Sequence, residues 1–194
     1  MRYDSLRAFG GAQSKAETAE QDPQGIPNNR PGAKADAGKP RVGLCLISFL
    51  PALRAILGDG LNTLGVIGTA SARWPRALSE IARITTEGAR KYTPNGWLLV
   101  SDGANRYMDA WGRHRLEHGL GRLIDDGTGG TGCTHIGQAS WNLLAALTLL
   151  TLGHHEALIT GYPVSSTQEL TRLAESSLDE LEGVMRQLLE AEAA

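Results

Sequence analysis

At 194 residues the chain suits one domain built around one sizeable core, and a second independent core is not expected. Its 19 basic and 21 acidic side chains leave a formal charge of −2, which excludes the electrostatic footprint of a sequence-blind nucleic-acid binder. Cys45 and Cys133 form neither a CxxC clip nor a disulfide framework, as suits a reducing cytoplasm.

Residues 1–39 are rich in Gly, Ala, Gln, Asn, Asp and Pro and lack periodic apolar positions, so they are expected to form a disordered tail. The longest mainly apolar run, Val42 to Leu57, carries Leu46, Phe49, Leu50, Leu53 and Leu57 at near-helical spacing. It contains Pro51 and Arg54 and falls short of the roughly 18 to 20 residues that span a bilayer. With no basic-then-apolar leader after Met1, the expectation is a soluble cytoplasmic protein without membrane or nucleic-acid partners. Gly58, Gly60, Gly65 and Gly68 then mark a loop or insertion.

A helix is expected after Trp74, because Pro75 is preorganised for the first turn, and Pro94-Asn95-Gly96 ends it. Leu78, Ile81, Ala82, Ala89 and Tyr92 share one side of it, while Glu80, Glu87 and Lys91 gather opposite, as a solvated face or a functional one. Further helices are expected from about Ala104 to Leu120 and from Thr134 to Leu152. On the latter, His135, Ala139, Asn142 and Ala146 share one face and Ile136, Leu143, Leu147 and Leu150 another. Ser166 and Glu169 form a capping box before a long helix with near-heptad leucines, expected to serve packing or oligomerisation. No strand alternation appears, so the fold class is all-α, with a helical domain over 40–160 and a C-terminal amphipathic helix in 161–194.

The densest chemistry lies between Arg106 and Asn142, where Asp109, Arg113, His114, Glu117, His118, Asp125, Asp126, His135 and Asn142 occupy two helical patterns joined by a glycine loop. Carboxylates and imidazoles cost several kcal/mol to bury unpaired, so such a cluster holds a cation, an anion or its own members. His114-Arg115-Leu116-Glu117-His118 matches the H-x-x-E-H pattern of inverted zincins, which would make a zinc hydrolase, but little chain remains to supply a third ligand and a cleft. Gly127 to Gly132 satisfies G-x-G-x-x-G without a strand before it, and reads as a connector or lid that positions Asp125. Asp109 and Arg113 suit an intrahelical ion pair. A rival from another class is a non-catalytic helical partner-binding protein, whose polar cluster would be a solvated network.

An ordered series resembles a known family: Gly38-Lys39-Pro40-Arg41, Ala82-Arg83-Ile84, Gly88-Ala89-Arg90-Lys91-Tyr92, Trp97, Arg106-Tyr107, Asp109-Ala110, Arg113-His114, Asp125, His135, Ala139 and Trp141-Asn142. In that order, from about Gly38 to Leu152, the chain resembles the dATP/dGTP diphosphohydrolase (MazZ-like) proteins of bacteriophages, which are similar to MazG-type all-α nucleotide pyrophosphohydrolases. Leu57 to Pro75 looks inserted relative to the family, Gln138 stands where a second histidine is common, and the E-E-x-x-E pattern of MazG helices is missing.

The resemblance implies a MazG-like helical bundle completed by homo-oligomerisation, dimer or tetramer, working in the host cytoplasm if phage-encoded. It implies hydrolysis of dGTP, and of dATP, to the monophosphate and pyrophosphate, with two or more Mg2+ or Mn2+ ions. Glu80, Glu87, Asp109, Glu117 and Asp125 are the expected metal ligands, and Glu80, Glu87, Asp109 and His114 the expected catalytic residues. Lys91, Arg113, His114 and His135 are expected on the phosphates, with Tyr92, Trp97 or Trp141 and the amide of Asn142 at the deoxypurine base.

Overall fold

The computed structural model describes Arg30, residues 39–153 and residues 166–193. The chain divides into two compact units, Met1–Pro40 and Arg41–Ala194, and every helix of the described residues belongs to the second. The tail expected over 1–39 lies almost wholly outside the described residues. Among those residues there are seven α-helices, and the only β feature is an isolated bridge between Ile124 and Thr134, as the all-α reading requires.

The apolar run after Arg41 makes two helices, α1 (Val42–Ser48) and α2 (Leu50–Leu57). Pro51 lies in the first turn of α2, where its missing N–H costs nothing; continued through it, one helix would lose a hydrogen bond and clash with the preceding turn. The chain bends at Phe49, whose ring is buried. The loop or insertion expected from the glycines after Leu57 is instead largely a helix, α3 (Thr63–Arg73). Asn62 caps it by accepting from Gly65 N at 2.8 Å, and Val66 and Ala70, one turn apart, are fully buried. Gly68 faces open space, so it costs the helix little beyond its poor propensity.

Helix α4 (Pro75–Lys91) begins at the expected proline, directly after a fully buried Trp74. Leu78, Ile81 and Ala82 face the core as their spacing indicates, whereas Tyr92, assigned to the same stripe, is 72% exposed. A 3-10 turn, Gly96–Leu99, leads to α5 (Gly103–Gly119).

Helix α6 (His135–Thr151) runs through the middle of the bundle, with α2, α4, α5 and α7 packed around it. From His135 to Leu149 every residue but Trp141 is buried, so the two faces read from its sequence are both interior. A helix apolar nearly all round belongs in a core. Helix α7 (Thr167–Ala193) opens on half of the expected capping box, Glu169 N donating to Ser166 Oγ at 3.2 Å. Its stripe of Leu170, Ala174, Leu178, Leu181, Met185 and Leu188 is buried within the chain's own bundle, so this face serves packing. Ion pairs along its edge join it to Arg73, Arg76 and Arg115, and Asp179 accepts from Trp74 Nε1 at 2.6 Å.

Candidate active site

A cleft of about 610 Å³ opens between the C-terminal half of α4, α5, the glycine loop and the N-terminal half of α6. Its apolar part is lined by Trp97, Tyr107 and Trp141, with the buried Phe49 packed against two of them. Trp97 lies 5.3 Å from Phe49, 5.6 Å from Trp141 and 6.3 Å from Tyr107 between centroids, and the Tyr107–Trp141 and Phe49–Trp141 pairs meet edge to face. Tilted and edge-to-face contacts suit the ring quadrupole. Tyr107 donates its hydroxyl to the carbonyl of Trp97 at 2.9 Å, which fastens the 3-10 turn to α5, and burial pushes that phenol up to about 12. The turn before Trp97 is tight. Asn95 takes a left-handed φ of 59°, and a Cβ at Gly96 would sit 2.3 Å from Thr93 Oγ1.

The other end is polar. His114 and His135 meet Nδ1 to Nδ1 at 3.0 Å, so one ring must donate and the other accept. Burial, reinforced by the charge on His135, holds His114 below its ordinary value against the pull of Asp125. Asp125 Oδ2 accepts from Gln138 Nε2 at 2.8 Å and from Thr131 N at 3.1 Å. Burial alone would raise the Asp125 carboxyl, but those two donors and the nearby imidazoles outweigh it and keep the group below its ordinary value. Lys91, Arg106 and Arg113 bring three cationic side chains to the lining, and Glu87 adds a second carboxylate.

The expected residues therefore divide. Glu87, Lys91, Tyr92, Trp97, Arg113, His114, Asp125 and Asn142 line the cleft together, with His135 bonded to His114 behind them. Glu80, expected as a ligand, is 3% exposed and fully engaged elsewhere: it pairs with Arg83 and accepts from Thr134 N at 2.8 Å and Thr134 Oγ1 at 2.9 Å. Asp109 is exposed on α5 and lies outside the lining, as does Glu117, which pairs with Arg122. Among the described residues no group of three or more His, Cys, Asp or Glu side chains converges as a metal cage, so the five carboxylates are not assembled into one. The H-x-x-E-H match fares no better, since His114 bonds His135 while His118 lies 3.9 Å from Glu180 on α7.

In the sequence Arg106, Tyr107, Ala110 and Gln138 had no assigned role. Arg106, Tyr107, Ala110, Arg113 and His114 all line the cleft, and their spacing of one, four, seven and eight places one helical face there. Gln138, conspicuous as a replaced histidine, turns out to hold Asp125. No spacing rule points to that contact, because it crosses from a helix to a loop.

The fold and the cleft define an all-α protein with a cleft that is lined by both aromatic and ionisable side chains. Among the described residues no helix is long and apolar enough to cross a membrane. Residues 29–157 match the family described as dATP/dGTP diphosphohydrolase, N-terminal, and the chain belongs to that family of hydrolases. Comparison with curated proteins and with solved structures gave no match.

Proposed function

We propose that the protein hydrolyses deoxypurine nucleoside triphosphates, dGTP and also dATP, to the monophosphate and pyrophosphate with the help of Mg2+ or Mn2+. The observation that carries this reading is the convergence of three cationic side chains and a box of aromatic rings in one cleft of a chain from this family. A nucleotide has the matching parts, a flat base and a polyanion. Within a phage, the same reaction would supply dGMP for diaminopurine nucleotide synthesis and remove competing dATP.

Asp125, whose Oδ2 is held by Gln138 and Thr131, or Glu87, which also pairs with Arg90, would hold a divalent ion of this kind, because magnesium commonly takes one or two carboxylates and completes its shell with water and phosphate oxygens. Bound there, the ion would supply charge neutralisation and a more acidic attacking water. Lys91, Arg106 and Arg113 neutralise the phosphates, most strongly as charge moves onto the pyrophosphate leaving group. Water forms a bond to the α-phosphorus while the bond from that phosphorus to the bridging oxygen breaks, and the His114–His135 pair, of which at least one ring is neutral, takes the proton. Asn142 donates Nδ2–H to the Gln138 carbonyl at 2.8 Å, which turns its amide oxygen toward acceptance from an amino group on the base.

The test is to incubate the full chain with dGTP, dATP, dCTP and dTTP in turn, with Mn2+ or Mg2+, and to separate the phosphate products. Pyrophosphate and dGMP are expected from dGTP. Release of single inorganic phosphate, or no turnover of either purine, refutes the reading.

A further inference from the structure

Asp125 belongs to the irregular segment between α5 and α6 and His135 is the first residue of α6, yet Asp125 has a defined place in the cleft and His135 one against His114. The segment is first folded on itself. Asp125 N donates to the Cys133 carbonyl, Gly132 N to the Asp125 carbonyl and His135 N to the Leu123 carbonyl, each at 2.9 Å. Whatever fixes residues 132–134 therefore fixes Asp125 and His135 too.

What fixes them is a fork from α4. The Arg83 guanidinium donates to the Gly132 carbonyl from Nη1 at 3.1 Å and from Nη2 at 3.0 Å. It also grips Glu80, through Nε to Oε2 at 2.8 Å and Nη2 to Oε1 at 3.0 Å. The Glu80 carboxylate in turn accepts from Thr134 N and Oγ1. Gly137 leaves room for it, since a Cβ there would lie 2.8 Å from Glu80 Cγ. An ion pair with one buried and one half-buried partner is a poor device for stability alone, because desolvation offsets much of its attraction. It is a good device for geometry: a planar guanidinium reaches two targets in fixed directions, which an ammonium does not.

We propose that Arg83 and Glu80 are positioning residues, whose fork sets the backbone of residues 132–134 and through it the placement of Asp125 and His135. The kinetic part of this inference rests on the hydrolase reading; the structural part does not. A displaced catalytic group slows the chemical step more than it weakens substrate binding, and Lys91, Arg106 and Arg113, the side chains assigned to the phosphates, lie outside residues 132–134.

The experiment compares full-length wild type, R83M and R83K by dGTP kinetics with Mn2+ and by the imidazole resonances of His114 and His135 in nitrogen-15 spectra. In R83M, kcat is expected to fall roughly 10- to 100-fold, the range for losing a group that orients another, while KM stays within about twofold. R83K, with one of the two grips left, is expected to lie between, and both imidazoles shift in each variant. Folded variants with wild-type kcat, or with a rate loss that only tracks the unfolded fraction, and with unmoved resonances overturn the proposal. Should R83M not fold, R83K alone decides by the same two readouts. If the wild type does not cleave dGTP, the hydrolase reading fails and the spectra still judge the positioning role.

Discussion

Replacing Gly137 with alanine tests the packing at the α4–α6 crossing, because two opposite effects can be weighed. Alanine favours a helix interior over glycine by about 0.5–1 kcal/mol. Against that, the new Cβ would meet Thr134 Oγ1 at 2.5 Å, Glu80 Cγ at 2.8 Å and Ile84 Cδ1 at 3.0 Å. None of the three can withdraw freely: Thr134 and Glu80 are bonded to each other, and Ile84 is buried in the core. Overpacking of this kind costs about 1–3 kcal/mol. Thr134 Oγ1 also caps α6 by accepting from Gly137 N at 3.1 Å, and loss of such a cap costs about 0.5–2 kcal/mol. The balance is a net loss of about 0.5–4.5 kcal/mol, or roughly 1–18 °C in Tm for a chain of this size. Gly183 on α7, with nothing within 4 Å of its built Cβ, is the control, and its alanine variant should gain about 0.5–1 kcal/mol. Urea unfolding followed by circular dichroism measures both, with the midpoint moving and the slope unchanged. A G137A protein as stable as wild type would show that Glu80 and Thr134 are not packed against α6 as described.

Stability should also depend on pH through the imidazoles. Burial lowers His114 and His118 below their ordinary 6.5, so near and below that value the unfolded chain binds more protons than the native one. Stability therefore falls as pH drops through this window, and His114→Gln should flatten the decline; an unchanged slope counts against the buried, unprotonated His114. Asp125→Ala removes the acceptor of Gln138 Nε2 and Thr131 N, and should lower dGTP turnover by about 100-fold while speeding proteinase K cleavage within residues 127–130. Cleavage at the wild-type rate would mean the loop does not depend on that carboxylate. Trp74→Phe gives up the bond to Asp179, which at 51% side-chain exposure is partly screened, so about 1–2 kcal/mol of stability should go with kcat unaltered. A measurable change in kcat would contradict the separation of that bond from the cleft.

Helices α4 to α7 were legible because their apolar positions recur at helical spacing, and the starts of α4, α6 and α7 carry Pro75, Thr134 and Ser166. α3 was not, since four glycines between Gly58 and Gly68 suggested a loop; the overlooked signals were Asn62 as a cap and the buried pair Val66 and Ala70. The break at Phe49 follows from Pro51, which the apolar spacing alone concealed. Within the site, the residues that α5 brings to the cleft were largely readable from one face of one helix. Glu80 was not, because its role depends on Arg83 one turn on and on Thr134, 54 residues away. Spacing shows which carboxylates share a face, but not which of them an arginine already holds.

That distinction bears on how the cleft would orient its ligand under the hydrolase reading. Lys91, Arg106 and Arg113 all line it, and charge alone attracts a polyanion without fixing which way the base lies. Direction has to come from the two ends. Tyr107 and His114 lie seven residues apart on α5, about 10 Å along the axis at the helical rise, with Trp97 and Trp141 against the first and His135 and Asp125 near the second. The ring end offers stacking but, in Tyr107, a hydroxyl already bonded to a carbonyl; the far end offers a carboxylate held ionised and an imidazole pair that shares a proton. A base that stacked among the imidazoles would leave its triphosphate over the rings, away from Asp125 and the imidazole pair. Only the opposite orientation brings phosphorus to the groups able to act on it, and it is the fork of Arg83 and Glu80, rather than any contact with the ligand, that keeps those groups in place.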